Sequence, residues 1–545
     1  MKAYLEAVLK QALVRVAGES VETEITIEKP RSPEHGDAAT NLAMTLPKKL
    51  RKPPRKIAEE LVGAMDYDER KIQAVEIAGP GFINFRYAPD WMFGQLREIL
   101  DAGAEYGKTS THAGKKMHVE FVSANPTGPL TVGHGRNAVL GDSIARLLEW
   151  TGANVDREYY FNNAGRQMRV LGQSVCARYM ELLGAPAEFP EGGYEGLYIR
   201  YIAEKLRQKY GDELKSRPAT DAIFKDAAES AIFEDIKATL ERMNIRMDLF
   251  FNEYTLYEDG SIKSVIEGLK AKELAYEQDG ATWFKTTEFG KEKDTVLIKS
   301  TGEPTYRLPD MAYHINKLER GYDLCIDIFG ADHIATYPDV ISAVKALDYD
   351  SGRIDVQVYQ FVTIVKDGQP FKMSTRKANF VTLDELMDEV GADVTRFFFL
   401  MRTPGTHLEF DIAEAKEAGE KNPVYYLQYA HARIHSILKK AIEEYETNVE
   451  KADLSLLTHE TEEALIKQLM LLPETIDLAA AKREPHRLIS YLDGVATHFH
   501  KFYHDCRIIG EEAHLATARI ALLKATAGVL ANGLRILGIS APEQM

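Results

Sequence analysis

Cysteine is scarce in this chain: three in 545 residues, Cys176, Cys325 and Cys506, each far from the others. That excludes a disulfide framework and a CxxC zinc pattern, and it fits a reducing, cytoplasmic compartment. Long apolar runs are missing as well; none reaches the roughly 18 residues that a membrane span needs. The N-terminal stretch MKAYLEAVLKQALVRV is broken by Glu6, Lys10 and Arg15 at helical spacing, which predicts an amphipathic helix rather than a signal peptide. A positive charge balance is absent too. With 83 acidic against 67 basic residues the net charge is −16, so a nucleic-acid partner would have to be met by local basic patches.

What is present is an ordinary globular composition, 45% hydrophobic and 28% charged. The length exceeds a single core; at about 150 residues per domain it predicts three or four domains. Residues 1 to about 105 carry two helical patterns and then a strand-like piece at Ile83-Asn84-Phe85 after Gly79-Pro80-Gly81, a small α/β domain. From 106 to 400, short apolar strands alternate with longer helices, the pattern of a Rossmann-like parallel sheet. Strands are expected at 117–123, 155–160, 323–329 and 355–361. The charged, helical stretch of about 186–300, with a hairpin near Trp283-Phe284, reads as insertions. Residues 401–545 are helical by periodicity and predict an all-α bundle. The fold class is thus multidomain α/β.

The most informative segment is 117–152. A strand leads through Ala124-Asn125-Pro126-Thr127-Gly128-Pro129-Leu130 into Thr131-Val132-Gly133-His134-Gly135-Arg136 and a helix ending at Trp150, with Gly152 as terminator. Such a turn aims backbone N–H groups and the positive helix end at an anion. Gly133 allows close approach of a flat ligand, and His134 can donate to a phosphate. The bland alternative is a generic turn with a chance histidine. A second segment, Phe371-Lys372-Met373-Ser374-Thr375-Arg376-Lys377, places three cations and a serine just past the turn Asp367-Gly368. Its alternative is a solvated basic turn. Taken together, the two segments have the order and spacing of one ATP site, in which the cations would neutralise departing pyrophosphate.

On these residues the chain resembles the class I aminoacyl-tRNA synthetases: Thr131–His134 is similar to their HIGH motif and Lys372–Arg376 to KMSKS. Further blocks resemble the arginyl subfamily across the whole chain. These are EFVSANPTGPLTVGHGR (Glu120 to Arg136), Asn163-Ala164-Gly165-Arg166-Gln167, the run from Asn422 to Arg433, Ser32-Pro33-Glu34-His35-Gly36-Asp37, and Ser540 to Met545. The resemblance implies activation of arginine by ATP with Mg²⁺ on the phosphates, transfer to an arginine-accepting tRNA, and a need for bound tRNA during activation. It implies catalytic roles for His134, Lys372, Arg376 and Thr131. ATP would be bound by Gly133, His134, Gly330, Asp332, His333, Lys372, Met373 and Ser374. Arginine would be contacted by Glu120 and Asn125, with Tyr306 and Asp310 holding its guanidinium, whose fork of donors matches a carboxylate as an ammonium cannot. No protein-held metal cage and no covalent nucleophile is expected. The alternatives are an ordinary strand-end acid for Glu120, a dipole-favoured helix N-terminal acid for Asp310, and an N-cap for Asp332.

Two departures stand out. Thr131 occupies the first HIGH position and Thr375 the second KMSKS lysine, and Gly128 lies where some arginyl enzymes carry a compensating lysine. Which of Lys372, Arg376 and Lys377 meets the pyrophosphate stays open. For tRNA, the run Pro47 to Lys56, with Lys48, Lys49, Arg51 and Lys52, is expected to touch phosphates, or else to be a solvated loop between helices. Tyr425, Tyr429 and Arg433, with Tyr503 and Met545 by resemblance, are candidates for anticodon stacking; the alternative is a core tyrosine stripe. The chain is expected to work as a monomer, away from membranes. Two rivals remain: a small nucleotidyltransferase with an HxGH turn, and a non-catalytic paralogue that binds tRNA or a partner.

Overall fold

A computed structural model describes residues 1–18, 21–30, 32–366, 368–370, 381–417, 419, 422–445 and 448–545, without the side chains of Pro33, Asp332 and Pro370. The chain forms two compact units. One gathers Met1–Tyr106, Ser436–Leu471 and His498–Gly528; the other gathers Gly107–His435, Leu472–Thr497 and Val529–Met545.

In the first unit the amphipathic helix runs Lys2–Ala17 and buries Leu5, Leu9, Ala12 and Leu13. With the helix Pro54–Ala64 it shares one apolar core with a three-stranded antiparallel sheet, ordered Ala38–Thr40, Phe82–Tyr87, Ile72–Ala78. The basic run is not one loop. Pro47–Leu50 is a short helix, and a second helix begins at Pro54, because proline with its fixed φ suits a first helical turn. Asp37 pairs with Lys467 at 2.9 Å, and Arg97 donates to the carbonyls of Val449 and Ala452.

The second unit is built on a five-stranded parallel sheet, ordered Ile354–Tyr359, Leu324–Gly330, Lys116–Glu120, Asn154–Phe161, Leu249–Asn252. Four strands are those the alternation predicts. The fifth comes from inside the 186–300 stretch read as insertion; four residues between helices carry too little periodicity to announce it. In chain order the sheet reads 5-4-1-2-3, so the winding reverses beside Lys116–Glu120, and ligands in such sheets bind at the carboxyl ends next to that reversal. The hairpin near Trp283 is a three-stranded antiparallel sheet, Ala275–Gln278, Ala281–Phe284 and Thr295–Ile298.

The helix Val132–Trp150 lies so close to the first strand's end that a Cβ on Gly141 would sit 2.3 Å from Phe121 Cγ. After residue 400 the chain is helical, as Pro423–Glu444, Glu460–Leu469, Leu472–Lys482, His486–Asp505 and Ala513–Ile536. The strand Leu408–Asp411, which pairs in parallel with Val362–Lys366, is an exception.

Candidate active site

The turn between the first strand and its helix is built around a reciprocal cap. The Thr131 hydroxyl accepts from the His134 backbone N–H, while the Thr131 backbone N–H donates to His134 Nδ1 at 3.1 Å. Threonine at the first HIGH position therefore has a local task, closing the helix N-terminus. Because Nδ1 accepts, the neutral ring carries its proton on Nε2, and burial pushes the His134 pKa below the usual imidazole range. The result is an uncharged N–H donor beside the first-turn backbone N–H groups of a 19-residue helix. A Cβ on Gly133 would meet only Thr131 Oγ1, at 3.7 Å, so the turn is open where a flat ligand was expected to approach. A Cβ on Gly128, by contrast, would press within 3.0 Å of the Tyr198 hydroxyl oxygen.

Leu383 donates to the Leu130 carbonyl at 2.8 Å and Val132 to the Val381 carbonyl at 3.3 Å, so the chain beyond residue 380 is tied to this same turn. Lys372, Met373, Ser374, Thr375, Arg376 and Lys377 themselves lie outside the described residues, as does the Asp332 side chain. Gly330 ends the fourth strand, and His333 stacks on Phe329 with ring centroids 5.2 Å apart.

The same sheet edge carries a crowd of carboxyls. Glu120, only 4% exposed, ends the first strand. Val122 and Ser123 follow with φ of 67° and 44°, left-handed conformations that cost on the order of 1–3 kcal/mol each and persist only where surroundings impose them. Here the Val122 N–H donates to Asn137 Oδ1 at 2.6 Å, Asn137 Nδ2 donates to the Ile328 carbonyl at 2.8 Å, and Ser123 Oγ donates to Glu120 Oε1 at 2.9 Å. The strained turn thereby aims the Glu120 carboxyl.

The helix Arg307–Glu319 brings Asp310, His314 and Lys317 to this place on one face, at i, i+4 and i+7. Lys317 Nζ donates to Glu120 Oε2 at 2.5 Å and to Asp327 Oδ1 at 2.6 Å. Glu253, just past the strand Leu249–Asn252, accepts from the Tyr160 hydroxyl and from Asn162 Nδ2, both at 2.7 Å. Burial raises the Asp310 pKa to about 7; His314 and Lys317 oppose the shift, and Glu120 and Glu253 add to it. Burial likewise raises Glu253. Four carboxyls near one permanent ammonium leave the cluster short of positive charge, which a cationic ligand could supply.

The expected residues thus fall into several groups. Glu120 and Asp310 converge, at the edge where Thr131, Gly133 and His134 form their turn. Tyr306, directly before the Asp310 helix, is 87% exposed. Asn125 is exposed and already engaged, with Gln167 Oε1 at 3.1 Å and the Asn162 N–H at 3.0 Å. In the second unit, Tyr425 and Tyr429 stack at 5.9 Å, the Arg433 guanidinium donates to the Tyr429 hydroxyl at 2.6 Å, and Met545 is 57% exposed. In the first unit, Lys48, Lys49 and Arg51 are exposed, Lys52 pairs with Glu60 at 2.8 Å, and Tyr503 stacks on Phe499 at 6.0 Å. Sequence reasoning does not reach Lys317, Asp327, Glu253 or Tyr160. For Lys317 a signal existed in its spacing from Asp310 and His314; Glu253, after an unannounced strand, offers none.

Three family models match the chain: the arginyl tRNA synthetase N terminal domain over residues 3–87, the catalytic domain of tRNA synthetases class I (R) over 95–397, and the DALR anticodon binding domain over 427–545. Among curated relatives, the arginine–tRNA ligase of Salinibacter ruber is 55% identical with both chains covered in full. That of Desulfotalea psychrophila is 51% identical over 95% of this chain and 94% of its own. Among solved structures, a putative arginyl-tRNA synthetase from Campylobacter jejuni is 33% identical, with a TM-score of 0.78, 84% of this chain covered and 100% of that one. The Thermus thermophilus arginyl-tRNA synthetase shares the fold at 24% identity and a TM-score of 0.79, with both chains covered in full.

Proposed function

The chain belongs to the arginyl-tRNA synthetases and acts as an arginine–tRNA ligase with ATP as substrate; within that activity we propose which groups do the work. Asp310 takes the guanidinium, flanked by Tyr306, and Glu120 and Asn125 complete the arginine contacts. His134 donates from Nε2 to the phosphates, assisted by the helix N-terminus that Thr131 caps. Gly133, Gly330, Asp332 and His333 border the nucleotide, and Lys372, Met373, Ser374 and Arg376 meet the triphosphate. The observation that carries this reading is the pairing of a buried carboxyl cluster, short of cations, with a histidine-capped helix start at the reversal point of one parallel sheet.

The reaction is then two displacements. The arginine carboxylate attacks the α-phosphate in line and pyrophosphate leaves; the terminal ribose hydroxyl of the tRNA then attacks the adenylate carbonyl and AMP leaves. The protein contributes orientation and preorganised donors rather than a covalent nucleophile. Among the described residues no group of three or more His, Cys, Asp or Glu side chains is arranged to hold a metal. Mg²⁺ would instead be carried by phosphate oxygens and water, where it would neutralise triphosphate charge.

We also propose that residues 1–105 and Lys48, Lys49, Arg51 and Lys52 contact tRNA phosphates. Residues 106–400 would form the catalytic domain. Residues 401–545, through Tyr425, Tyr429, Arg433, Tyr503 and Met545, would read the anticodon. The enzyme would act as a cytoplasmic monomer and need tRNA for activation. No helix among the described residues is long and apolar enough to cross a membrane. Arginine-dependent ATP–pyrophosphate exchange tests the proposal: exchange that appears on adding tRNA supports it, whereas exchange with another amino acid, or tRNA binding with no exchange, overturns it.

A further inference from the structure

The ammonium of Lys317 has no part in the chemistry above, yet it sits within the carboxyl cluster. The side chain is fully buried, its Nζ lies 4.1 Å from the Tyr313 ring centroid, and it bridges Glu120 and Asp327. Those two acids are cross-strand partners in the sheet register, so their carboxyls stand side by side and cannot both stay ionised in a dry interior without a cation between them. The second Asp327 oxygen faces His314 Nε2 at 3.0 Å, and His314 Nδ1 faces the Asp310 carbonyl at 2.7 Å. A continuous path thus runs from the Glu120 carboxyl through Lys317, Asp327 and His314 to the backbone carbonyl of Asp310, and it stops short of the Asp310 carboxyl. Glu120 has its cation built in. Among the described residues the Asp310 carboxyl has no ion-pair partner.

Resting on the reading of Glu120 as an arginine contact, we propose that Lys317 is a positioning residue for the substrate. It holds the Glu120 carboxyl in place at the end of the first strand, and it leaves Asp310 as the carboxyl that an incoming guanidinium must neutralise. Without the ammonium, the Glu120 carboxyl loses its anchor beside Asp327, and the contact it offers arginine is lost in the ground state and the transition state alike.

The test is Lys317→Met, full chain, in tRNA-supplemented exchange. The arginine KM rises about tenfold or more, kcat at saturating arginine stays within about threefold, and the ATP KM is unchanged. An unchanged arginine KM overturns the proposal. Lys317→Met combined with Asp327→Asn removes the clash of unpaired acids, restores any lost thermal stability and covers the case in which the single variant does not fold. The proposal expects its arginine KM to stay high; a return to wild type means that the lysine serves only to neutralise Asp327, which contradicts it. Glu120→Gln separates the two levels. If Glu120→Gln leaves the arginine KM at the wild-type value, the assignment of Glu120 fails and the inference with it. If it raises KM while the double variant does not, the positioning role alone falls.

Discussion

On the proposed nucleotide side of the sheet edge, the turn Thr131–Arg136 offers backbone N–H groups and the His134 imidazole. On the proposed arginine side the groups are carboxyls brought in from positions 120, 253, 310 and 327, with Lys317 among them. The first arrangement is local and uncharged: a capped helix start whose histidine burial keeps neutral. The second is distant in sequence and dense in charge, with an acid whose pKa sits near neutrality. A triphosphate brings its own charge and needs donors, which a single turn can supply. A guanidinium in a buried pocket needs opposite charge, and assembling it takes several strands and a helix.

The difference sets how each side breaks. Asp310→Asn removes one partner of the proposed buried charge pair, a loss of about 2–5 kcal/mol, so kcat/KM for arginine should fall by roughly 30-fold to 5,000-fold with the ATP KM unchanged. An equal shift in both constants would mean that the two sides are not separable. His134→Ala removes one preorganised donor. Exchange at saturating arginine should slow by about 10² to 10³, in line with oxyanion-type donors, and single-turnover adenylate formation reads it directly.

A pH series sharpens the contrast. Asp310 must be ionised to pair with a guanidinium, and its pKa is raised to about 7. Arginine should therefore bind about tenfold more tightly at pH 8 than at pH 6, while ATP affinity changes little. The same shift bears on stability. A folded-state pKa above the ordinary carboxylate value means that this group's contribution is greatest below about pH 4 and is lost as pH rises toward 7. Arginine should offset that loss, raising Tm more at pH 8 than at pH 6. A Tm gain that is independent of pH would remove Asp310 from the binding equilibrium.

Two smaller effects test the supports. Gly141→Ala forces a Cβ against Phe121 and should destabilise by about 1–3 kcal/mol, lowering Tm by a few degrees. Lys48→Glu with Lys49→Glu should raise the tRNA KM severalfold at low salt and much less at high salt, because phosphate contacts are screened. Arginine and ATP constants should not move.

The same contrast explains what could be read in advance. The turn from Glu120 to Arg136 lies in one contiguous stretch, with its strand, glycines and histidine in order, so its strand–turn–helix form was legible. The four longer strands and the C-terminal helices were legible from periodicity. Leu249–Asn252 was not, being four residues long, and Glu253 was lost with it. Lys317 was hidden because a lysine in a helix reads as a solvated residue until the sheet register places Glu120 opposite Asp327. The basic run around Lys48 misled in its form, since two prolines there start helices rather than mark a loop.

The most direct measurement is a structure with a non-hydrolysable arginyl-adenylate analogue. The account predicts the guanidinium paired with Asp310 at about 2.7–3.0 Å and the α-phosphate analogue within hydrogen-bond reach of His134 Nε2, both in one ligand pose. A guanidinium seated away from Asp310, or a phosphate group that does not meet the Thr131–His134 turn, would contradict it.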